Sequence, residues 1–333
     1  MFIKKDVRKV PQILADATSR AVSAPPSPDP ASSEDTNEKD GGGGIVREIR
    51  FARRAPEFLP SCNVSLLLEP RYRPALDNLV QLSLYDCGLQ SLTGIEKSND
   101  TQPPLFPKLE SLDLGRNPRL TNESMPDTFH TQFPRLVQIW LDDCSFGPNI
   151  PSSLLELRKI EVVRMTGNQL EGELEDGIGI RYWENAKVLA LDGNKITSIG
   201  RGIGRMKYLE KLHLRGNNLA SLPEGVPSAS NCSLIMIGLS SNQLSSLPSS
   251  LLEAGSSLKE LYLNGNQIEE LPDGLAEKLV GLKKLNLAHN SIGKGAEITA
   301  GSQDSSNSNS GDEDMEHADF QQLLPQDFVE RFG

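Results

Sequence analysis

Residues 209–219 read LEKLHLRGNNL, which is the pattern LxxLxLxxNxL. Its leucines alternate with polar residues, so a short strand there points Leu212 inward and His213 outward. Asn217 follows where the strand ends and the chain turns. Because its amide both donates and accepts hydrogen bonds, Asn217 can satisfy backbone groups that would otherwise be buried without partners. The stretch therefore predicts one strand, one turn and one buried polar side chain.

The pattern recurs as nine tandem repeats, so a single rule accounts for most of the chain. The first apolar position of each repeat is, in order, Leu79, Leu109, Leu136, Ile160, Ala186, Leu209, Leu234, Leu258 or Leu282. We call the turn positions the ladder positions; they are Cys87, Asn117, Cys144, Asn168, Asn194, Asn217, Asn242, Asn266 and Asn290. Repeats of this length indicate units that bury a continuous core by stacking on their neighbours.

The repeats resemble the leucine-rich repeat family over roughly residues 45–333. The resemblance implies an α/β solenoid, a horseshoe with a parallel β-sheet on its concave face and irregular, 3-10 or short helical segments on its convex face. Leu-Pro pairs in three later repeats resemble the plant Ras-group intracellular proteins, at 222–223, 247–248 and 271–272. Two earlier stretches resemble the plant-type LxGxIP segment, at 146–151 and 170–174.

The composition divides the chain into six parts. We predict a short amphipathic segment interrupted by Pro11, a disordered linker, an N-terminal cap, nine repeats, a disordered acidic insertion and a C-terminal cap. Their bounds are, in that order, 1–20, 21–44, 45–78, 79–292, 293–319 and 320–333. The last part parallels the outer half of the preceding repeat, and the alternative is that it forms a free partner-binding motif.

The N-terminal cap allows two interpretations. Val46, Ile49 and Phe51 repeat the LxxLxL spacing and predict a capping strand. Residues 47–51 also resemble the short motif through which many proteins bind protein phosphatase 1. Because side chains that face a core cannot also enter a partner's groove, the two interpretations exclude each other.

Charge and hydropathy limit the location and the partners. The formal net charge is −11, and residues 297–319 contain seven acidic residues and no Lys or Arg. The nearly neutral repeats therefore offer no basic surface for nucleic acid or an anionic membrane. The chain has no run of 18 apolar residues, and its opening MFIKKDVRKV lacks the apolar stretch of a secretory signal. We expect a cytoplasmic, monomeric protein without membrane or nucleic-acid partners.

The sequence contains none of the nucleotide-binding, metalloprotease or serine-hydrolase motifs GxxxxGK[ST], HExxH and GxSxG. Its four histidines lie at unrelated repeat positions, so we expect no metal, no cofactor and no enzymatic activity. The four cysteines include no CxxC pair. Cys87 and Cys144 occupy ladder positions, where a buried free thiol can replace the amide.

The resemblance implies that the strands present their polar positions on a concave binding face. Trp140 is a large aromatic residue at such a position, and Trp and Arg dominate the binding energy of many interfaces. The candidate partner-binding residues are Trp140, Arg164, Asp113, Asp142, Arg116, His213, Arg215 and Tyr262. An exposed aromatic without a function is the alternative. Gly167, Gly193, Gly216 and Gly265 each precede a ladder Asn, where glycine suits a tight turn.

These expectations favour a non-catalytic scaffold that binds a partner protein on the concave face, in intracellular signalling. The alternative is a regulatory subunit of an enzyme such as protein phosphatase 1. A pathogen-sensing ectodomain would require a signal peptide and clustered cap cysteines, neither of which the sequence contains.

Overall fold

The computed structural model describes residues 10–23, 46–51, 64, 67–96, 103–174, 178, 181–226 and 233–293. The chain forms two compact units, Met1–Leu170 and Glu171–Gly333, called unit 1 and unit 2. The repeat pattern predicts one run of repeats over 79–292, and the border between the units falls inside that run. Two predicted parts, 293–319 beyond Gly293 and 320–333, lie outside the described residues, as does the linker 21–44 beyond Ser23.

Unit 1 contains a parallel sheet of five short strands, each paired with the next in the chain. The strands are β1 (Glu48–Arg50), β2 (Gln81–Ser83), β3 (Ser111–Asp113), β4 (Gln138–Trp140) and β5 (Val162–Arg164). The pairing has no register shift, so equivalent positions of successive repeats lie side by side.

Unit 2 repeats this arrangement and adds a small second sheet. Its strands are β6 (Glu171–Glu173), β7 (Val188–Ala190), β8 (Lys195–Ser198), β9 (Lys211–His213), β10 (Met236–Gly238), β11 (Glu260–Tyr262) and β12 (Lys284–Asn286). Strands β7, β9, β10, β11 and β12 form the parallel sheet, again without register shift. The predicted parallel sheet is therefore confirmed in each unit.

Short helical turns connect the strands. The α-helices are α1 (Val10–Ser23), α2 (Arg73–Leu76), α3 (Ser152–Leu155) and α4 (Leu275–Lys278). The 3-10 helices are Pro70–Tyr72, Asn122–Ser124, Phe129–Gln132, Arg201–Arg205 and Ser249–Ala254. Proline precedes several of them, because its fixed φ ends the extended segment and suits a helix start.

The leucines of the repeat pattern form the core of each unit. The first apolar position of every repeat is buried, and so is the strand leucine or its equivalent in all repeats but the last. There, Leu285 on β12 is half-buried. Leu212 on β9, by contrast, is 1% exposed and is flanked in register by Leu189 and Ile237. Neighbouring strands on both sides therefore complete the burial of a strand leucine.

The N-terminal helix extends beyond the predicted amphipathic segment. The sequence predicts a segment 1–20 interrupted by Pro11, whereas α1 runs from Val10 to Ser23, three residues into the predicted linker. Pro11 does not interrupt this helix, since it lies in the first turn, where its missing N–H has no helical partner to lose. Leu14 and Ala17 are buried, and the helix packs on α2 and on the turn before it.

The first strand contributes to the core. Ile49 is 2% exposed and Phe51 is 6% exposed. Strand β1 pairs with β2, and Phe51 donates its backbone N–H to the carbonyl of Ser83. Both apolar side chains of the motif that resembles a phosphatase-docking sequence are therefore unavailable to a partner.

The repeat pattern does not predict the second sheet of unit 2. Strands β6 and β8 pair in parallel, with a register shift between Gly172 and Glu173. The segment 171–173 reads EGE and buries no residue fully, so it lacks the alternation that predicts a strand. Its pairing with 195–198 supplies the backbone hydrogen bonds that its composition does not predict.

The ladder asparagines connect successive repeats through backbone groups. Asn217 accepts a hydrogen bond from the Ile196 N–H at 3.1 Å and donates to the carbonyls of Leu191 and Leu214, each at 3.0 Å. The same pattern recurs at Asn117, Asn168, Asn242, Asn266 and Asn290. Each of these side chains therefore satisfies a turn N–H and a strand carbonyl that the sheet leaves unpaired.

The residue before each ladder position has a left-handed backbone. Its φ lies between 54° and 71° in all nine repeats. Four repeats have glycine there, at Gly167, Gly193, Gly216 and Gly265; the others have Asp86, Arg116, Asp143, Ser241 and His289. A left-handed conformation costs a residue with a Cβ about 1 kcal/mol. In unit 1, three successive repeats therefore bear this cost, and each of them has a charged residue at the left-handed position.

Candidate functional site

The outward side of the unit 1 sheet carries a cavity of about 330 Å³. We call it the strand-face cavity. Its lining includes charged, aromatic and small polar side chains from all five strands and the turns that follow them. The lining residues are Arg50, Gln81, Leu82, Ser83, Tyr85, Ser111, Asp113, Gly115, Gln138, Trp140, Asp142 and Arg164.

One row of side chains crosses the cavity because the strands pair without register shift. The row consists of the last residue of each strand, namely Arg50, Ser83, Asp113, Trp140 and Arg164. Neighbouring strands lie about 4.8 Å apart, so each side chain is in reach of the next. The single aromatic of the row, Trp140, lies between a carboxylate and a guanidinium.

Both arginines of the row are already paired with carboxylates. Arg164 Nε donates to Asp142 Oδ2 at 2.8 Å, and Asp142 Oδ1 also accepts the backbone N–H of Thr166. Arg50 forms an ion pair with Glu48 on its own strand. These contacts hold the two guanidinium groups in place and offset their charge within the protein.

Asp113 is held by neutral donors. Its Oδ2 accepts a hydrogen bond from the Ser83 hydroxyl at 3.0 Å, and its Oδ1 accepts the Gly115 N–H at 3.0 Å. Gly115 also leaves room for the Tyr85 ring. A Cβ on Gly115 would lie 3.1 Å from the Tyr85 ring and 3.3 Å from Asp113 Oδ1. The missing side chain therefore lets the ring and the carboxylate approach each other over the glycine.

A row of charged side chains borders the cavity at the left-handed positions of unit 1. Arg116 lies 3.8 Å from Asp143 and is exposed. A hydrogen bond with Tyr85 raises the pKa of the Arg116 guanidinium above its usual value, as do the charges of Asp86 and Asp143. Arg116 is not among the lining residues of the cavity, but its hydrogen-bond partner Tyr85 is.

The other three predicted site residues lie in unit 2 and form two separate groups. His213 Nδ1 lies 3.8 Å from Asp192, whose other carboxylate oxygen accepts the Arg215 backbone N–H. Tyr262 donates to Glu260 at 2.8 Å, and Lys284 contacts the same carboxylate at 3.0 Å. Lys284 first and Tyr262 second lower the pKa of Glu260. Trp140, Arg164, Asp113 and Asp142 therefore line one cavity. His213, Arg215 and Tyr262 are not part of its lining.

Eight residues of the lining are absent from the candidate residues predicted from the sequence, and three of these eight are Arg50, Ser83 and Tyr85. Each occupies an outward position of the repeat pattern, so periodicity places it on the correct face. The sequence signal that identifies Tyr85 is Gly115, since a residue without a side chain on the neighbouring strand permits a large one beside it.

The two ladder cysteines are buried free thiols. Cys87 Sγ donates to the Phe51 carbonyl at 3.3 Å, and Cys144 Sγ donates to the Leu114 carbonyl at 3.4 Å. Burial first, together with the charges of nearby aspartates, raises the pKa of each thiol to about 12. A thiol at these positions therefore replaces the donor of the ladder amide but remains protonated at neutral pH.

The raised pKa values make both thiols unreactive in the folded protein. In a variant with Cys62→Ser and Cys232→Ser, we expect no reaction with Ellman's reagent at pH 8 and two reactive thiols after urea unfolding. Because each folded pKa exceeds the ordinary value of 9.0, the protonated thiols contribute stability below pH 9 that is lost as the pH rises towards 12. Stoichiometric labelling of the native variant would contradict the buried placement.

The described residues contain neither a metal-site candidate nor a membrane span. No group of three His, Cys, Asp or Glu side chains among them is arranged to hold a metal ion. Within the same ranges, no helix is long and apolar enough to cross a bilayer.

Residues 232–292 match the sequence family described as Leucine rich repeat. The parallel strands and ladder hydrogen bonds give the structural basis of this match. Both units have the leucine-rich repeat fold. A search of curated proteins found no match.

Two solved leucine-rich repeat structures are similar. A leucine-rich repeat protein from Leptospira interrogans is 23% identical, with a TM-score of 0.54; the alignment covers 67% of this chain and 58% of that one. The second is the ectodomain of the plant membrane receptor kinase GASSHO1/SCHENGEN3 from Arabidopsis thaliana, in complex with CASPARIAN STRIP INTEGRITY FACTOR 2. It is 22% identical, with a TM-score of 0.47, and the alignment covers 67% of this chain and 28% of that one. The chain thus spans less than two thirds of either leucine-rich repeat relative, and these likenesses concern the fold alone.

Proposed function

We propose that the protein is a non-catalytic scaffold that binds a partner protein through the strand-face cavity of unit 1. The observation that supports this most strongly is the placement of Trp140. A large aromatic ring stands at an outward position of the sheet, between a carboxylate and a paired arginine, and lines a cavity. Trp and Arg side chains in such surroundings supply most of the binding energy of protein interfaces.

The surroundings of Trp140 favour binding because they are fixed in advance. Asp142 accepts hydrogen bonds from the Arg164 side chain and from the Thr166 N–H of the next repeat. Asp113 accepts the Ser83 hydroxyl and the Gly115 N–H of its own repeat. A surface whose side chains are already ordered loses less conformational entropy when a partner binds. The three successive left-handed residues that carry charge at its border are consistent with a site that tolerates local strain for function.

The setting of this interaction is also part of the proposal. Two free thiols buried in unit 1 suit a reducing compartment, which supports a cytoplasmic location. We propose intracellular signalling of the plant Ras-group type as the role and a monomer as the working form, on the repeat subtypes described above. Regulation of protein phosphatase 1 through residues 47–51 is not proposed, because Ile49 and Phe51 are buried.

Alanine variants of the cavity test the proposal. We expect Trp140→Ala to weaken partner binding about 30-fold and Arg164→Ala about tenfold, since an interface hot spot contributes 2 kcal/mol or more. Affinity purification with quantitative mass spectrometry would compare both variants with the wild type. Tyr208→Ala is the matched control, because Tyr208 is 54% exposed and lies in unit 2, outside the cavity.

The expected result is a set of proteins that the wild type and Tyr208→Ala retain and both cavity variants lose. Equal recovery of the same proteins by all four forms would contradict the proposed surface. Urea unfolding of each variant separates loss of binding from loss of structure, because an outward position should change the free energy of unfolding little.

A further inference from the structure

The charge pairs of the strand-face cavity leave one carboxylate without a cation. Arg164 is paired with Asp142, and Arg50 is paired with Glu48. Asp113, between them, accepts hydrogen bonds only from a hydroxyl and a backbone N–H. Within the described part of the chain, no Lys, Arg or His lies at ion-pair distance from Asp113. A carboxylate in this position attracts a positive charge from outside the protein.

The surrounding charges add to this attraction. Around the cavity and its border lie three arginines, Arg50, Arg116 and Arg164. Five carboxylates accompany them: Asp113 and Asp142 in the lining, and Glu48, Asp86 and Asp143 beside it. Five negative charges against three positive ones leave an excess of two negative charges. An acidic partner segment would therefore meet repulsion, and a basic one would be attracted.

Two aromatic rings flank the unpaired carboxylate. Trp140 follows Asp113 directly across the sheet, on the neighbouring strand. The Tyr85 ring and Asp113 Oδ1 share the space above Gly115, where a Cβ would lie within 3.3 Å of both. Aromatic faces attract ammonium and guanidinium groups through their quadrupole, most strongly for Trp. A carboxylate with an aromatic ring on either side is therefore suited to an organic cation.

A metal ion does not suit the same place. Metal cations require several oxygen, nitrogen or sulfur ligands from the protein. Among the described residues, no three His, Cys, Asp or Glu side chains could share one ion. Asp142, the nearest second carboxylate in the lining, is already bonded to Arg164 and to the Thr166 N–H.

We propose that the strand-face cavity receives a lysine or arginine side chain of the partner protein, with its cation on Asp113 and its stem between Trp140 and Tyr85. The proposal rests on the proposed function, since it names the chemistry of the partner for the same surface. The aliphatic stem of such a side chain packs against aromatic rings while its head keeps polar contacts. The site would therefore recognise one basic residue of the partner segment and would not select the other residues of that segment.

A peptide selection on the full-length protein tests this inference. The probe is a phage-displayed library of random 12-residue peptides, selected on the wild type and depleted on Trp140→Ala. Selected peptides should share one Lys or Arg. Replacing that residue by citrulline or norleucine in the synthetic peptide should weaken binding about tenfold, because a hydrogen bond to a charged group is lost.

The protein side of the test uses a near-isosteric variant. Asp113→Asn should lower the affinity for the basic peptide about tenfold and leave its affinity for the citrulline peptide unchanged. Glu260→Gln is the matched control, since Glu260 is a strand carboxylate of unit 2 that pairs with Lys284. Intrinsic fluorescence reports binding, because Trp140 lines the cavity and the second tryptophan, Trp183, is 1% exposed.

The outcomes separate the two proposals. Peptides that distinguish wild type from Trp140→Ala but share no basic residue would overturn the cation site and leave the binding surface intact. Peptides that bind both forms equally would overturn the binding surface as well. If Asp113→Asn fails to fold, the citrulline substitution in the peptide still tests the cation site, because it needs no change in the protein.

Discussion

Leu212→Ala should lower the free energy of unfolding by about 2–5 kcal/mol, whereas Leu285→Ala should cost clearly less. The two leucines occupy the same position of the repeat. Leu212 is 1% exposed and has strand neighbours on both sides, whereas Leu285 lies on the last described strand and is half-buried. The lost transfer energy and the cavity left behind both scale with burial, so the difference follows from position alone.

Urea unfolding monitored by circular dichroism measures both variants. Because each repeat contacts only its neighbours, the loss at Leu212 also weakens the coupling between the repeats on either side. A broader transition for Leu212→Ala than for Leu285→Ala is therefore expected. Equal losses for the two variants would contradict the account of a core completed by flanking strands.

Replacement of the ladder residue Asn217 should be nearly as costly. Asn217→Ala removes the side-chain acceptor of the buried Ile196 N–H. The carbonyls of Leu191 and Leu214 lose one donor each but keep a second, from Asn194 and Asn242. One buried donor without a partner and two weakened carbonyls predict a loss of roughly 3 kcal/mol.

The chain itself supplies the comparison for this position. Cys87 and Cys144 occupy ladder positions, where the thiol donates to a carbonyl just after the preceding strand, that of Phe51 or Leu114. Asn217→Cys should therefore restore part of the loss, because it returns a donor but only a weak acceptor. The expected order of the free energy of unfolding is wild type, then Asn217→Cys, then Asn217→Ala. An alanine variant as stable as the cysteine variant would show that the hydrogen bonds contribute little.

Repetition explains why so much of the fold could be predicted. The spacing of residues such as Leu212 and Asn217 specifies which side chains are buried and where each strand ends, and nine repeats average out local exceptions. Strand β6 could not be predicted in this way, because 171–173 lacks apolar alternation and pairs through its backbone. Helix α1 ends three residues beyond the predicted segment 1–20, since helix ends are set by packing as well as by composition.

The candidate site could be predicted only in part. Periodicity places Trp140 and Asp113 on the outward face, but it does not show which carboxylates are already paired. That Arg164 pairs with Asp142, and not with Asp113, depends on side-chain geometry. Nor does residue type separate the two tryptophans: Trp183 lies outside the repeat pattern, with a left-handed backbone, and is buried in unit 2. The sequence alone therefore suggests Trp140 and leaves the chemistry around it open.

The most direct test of the proposed surface is site-specific photo-cross-linking in cells. A benzoylphenylalanine at Gln138 would report on the strand-face cavity, which Gln138 lines. The same group at Lys211, the equivalent first strand position on β9 in unit 2, is the matched control. We predict cross-links to a partner protein from Gln138 that are absent from Lys211 and are lost when Trp140→Ala is combined with the Gln138 probe. Cross-links from Lys211 alone, or from Gln138 regardless of Trp140, would contradict the account.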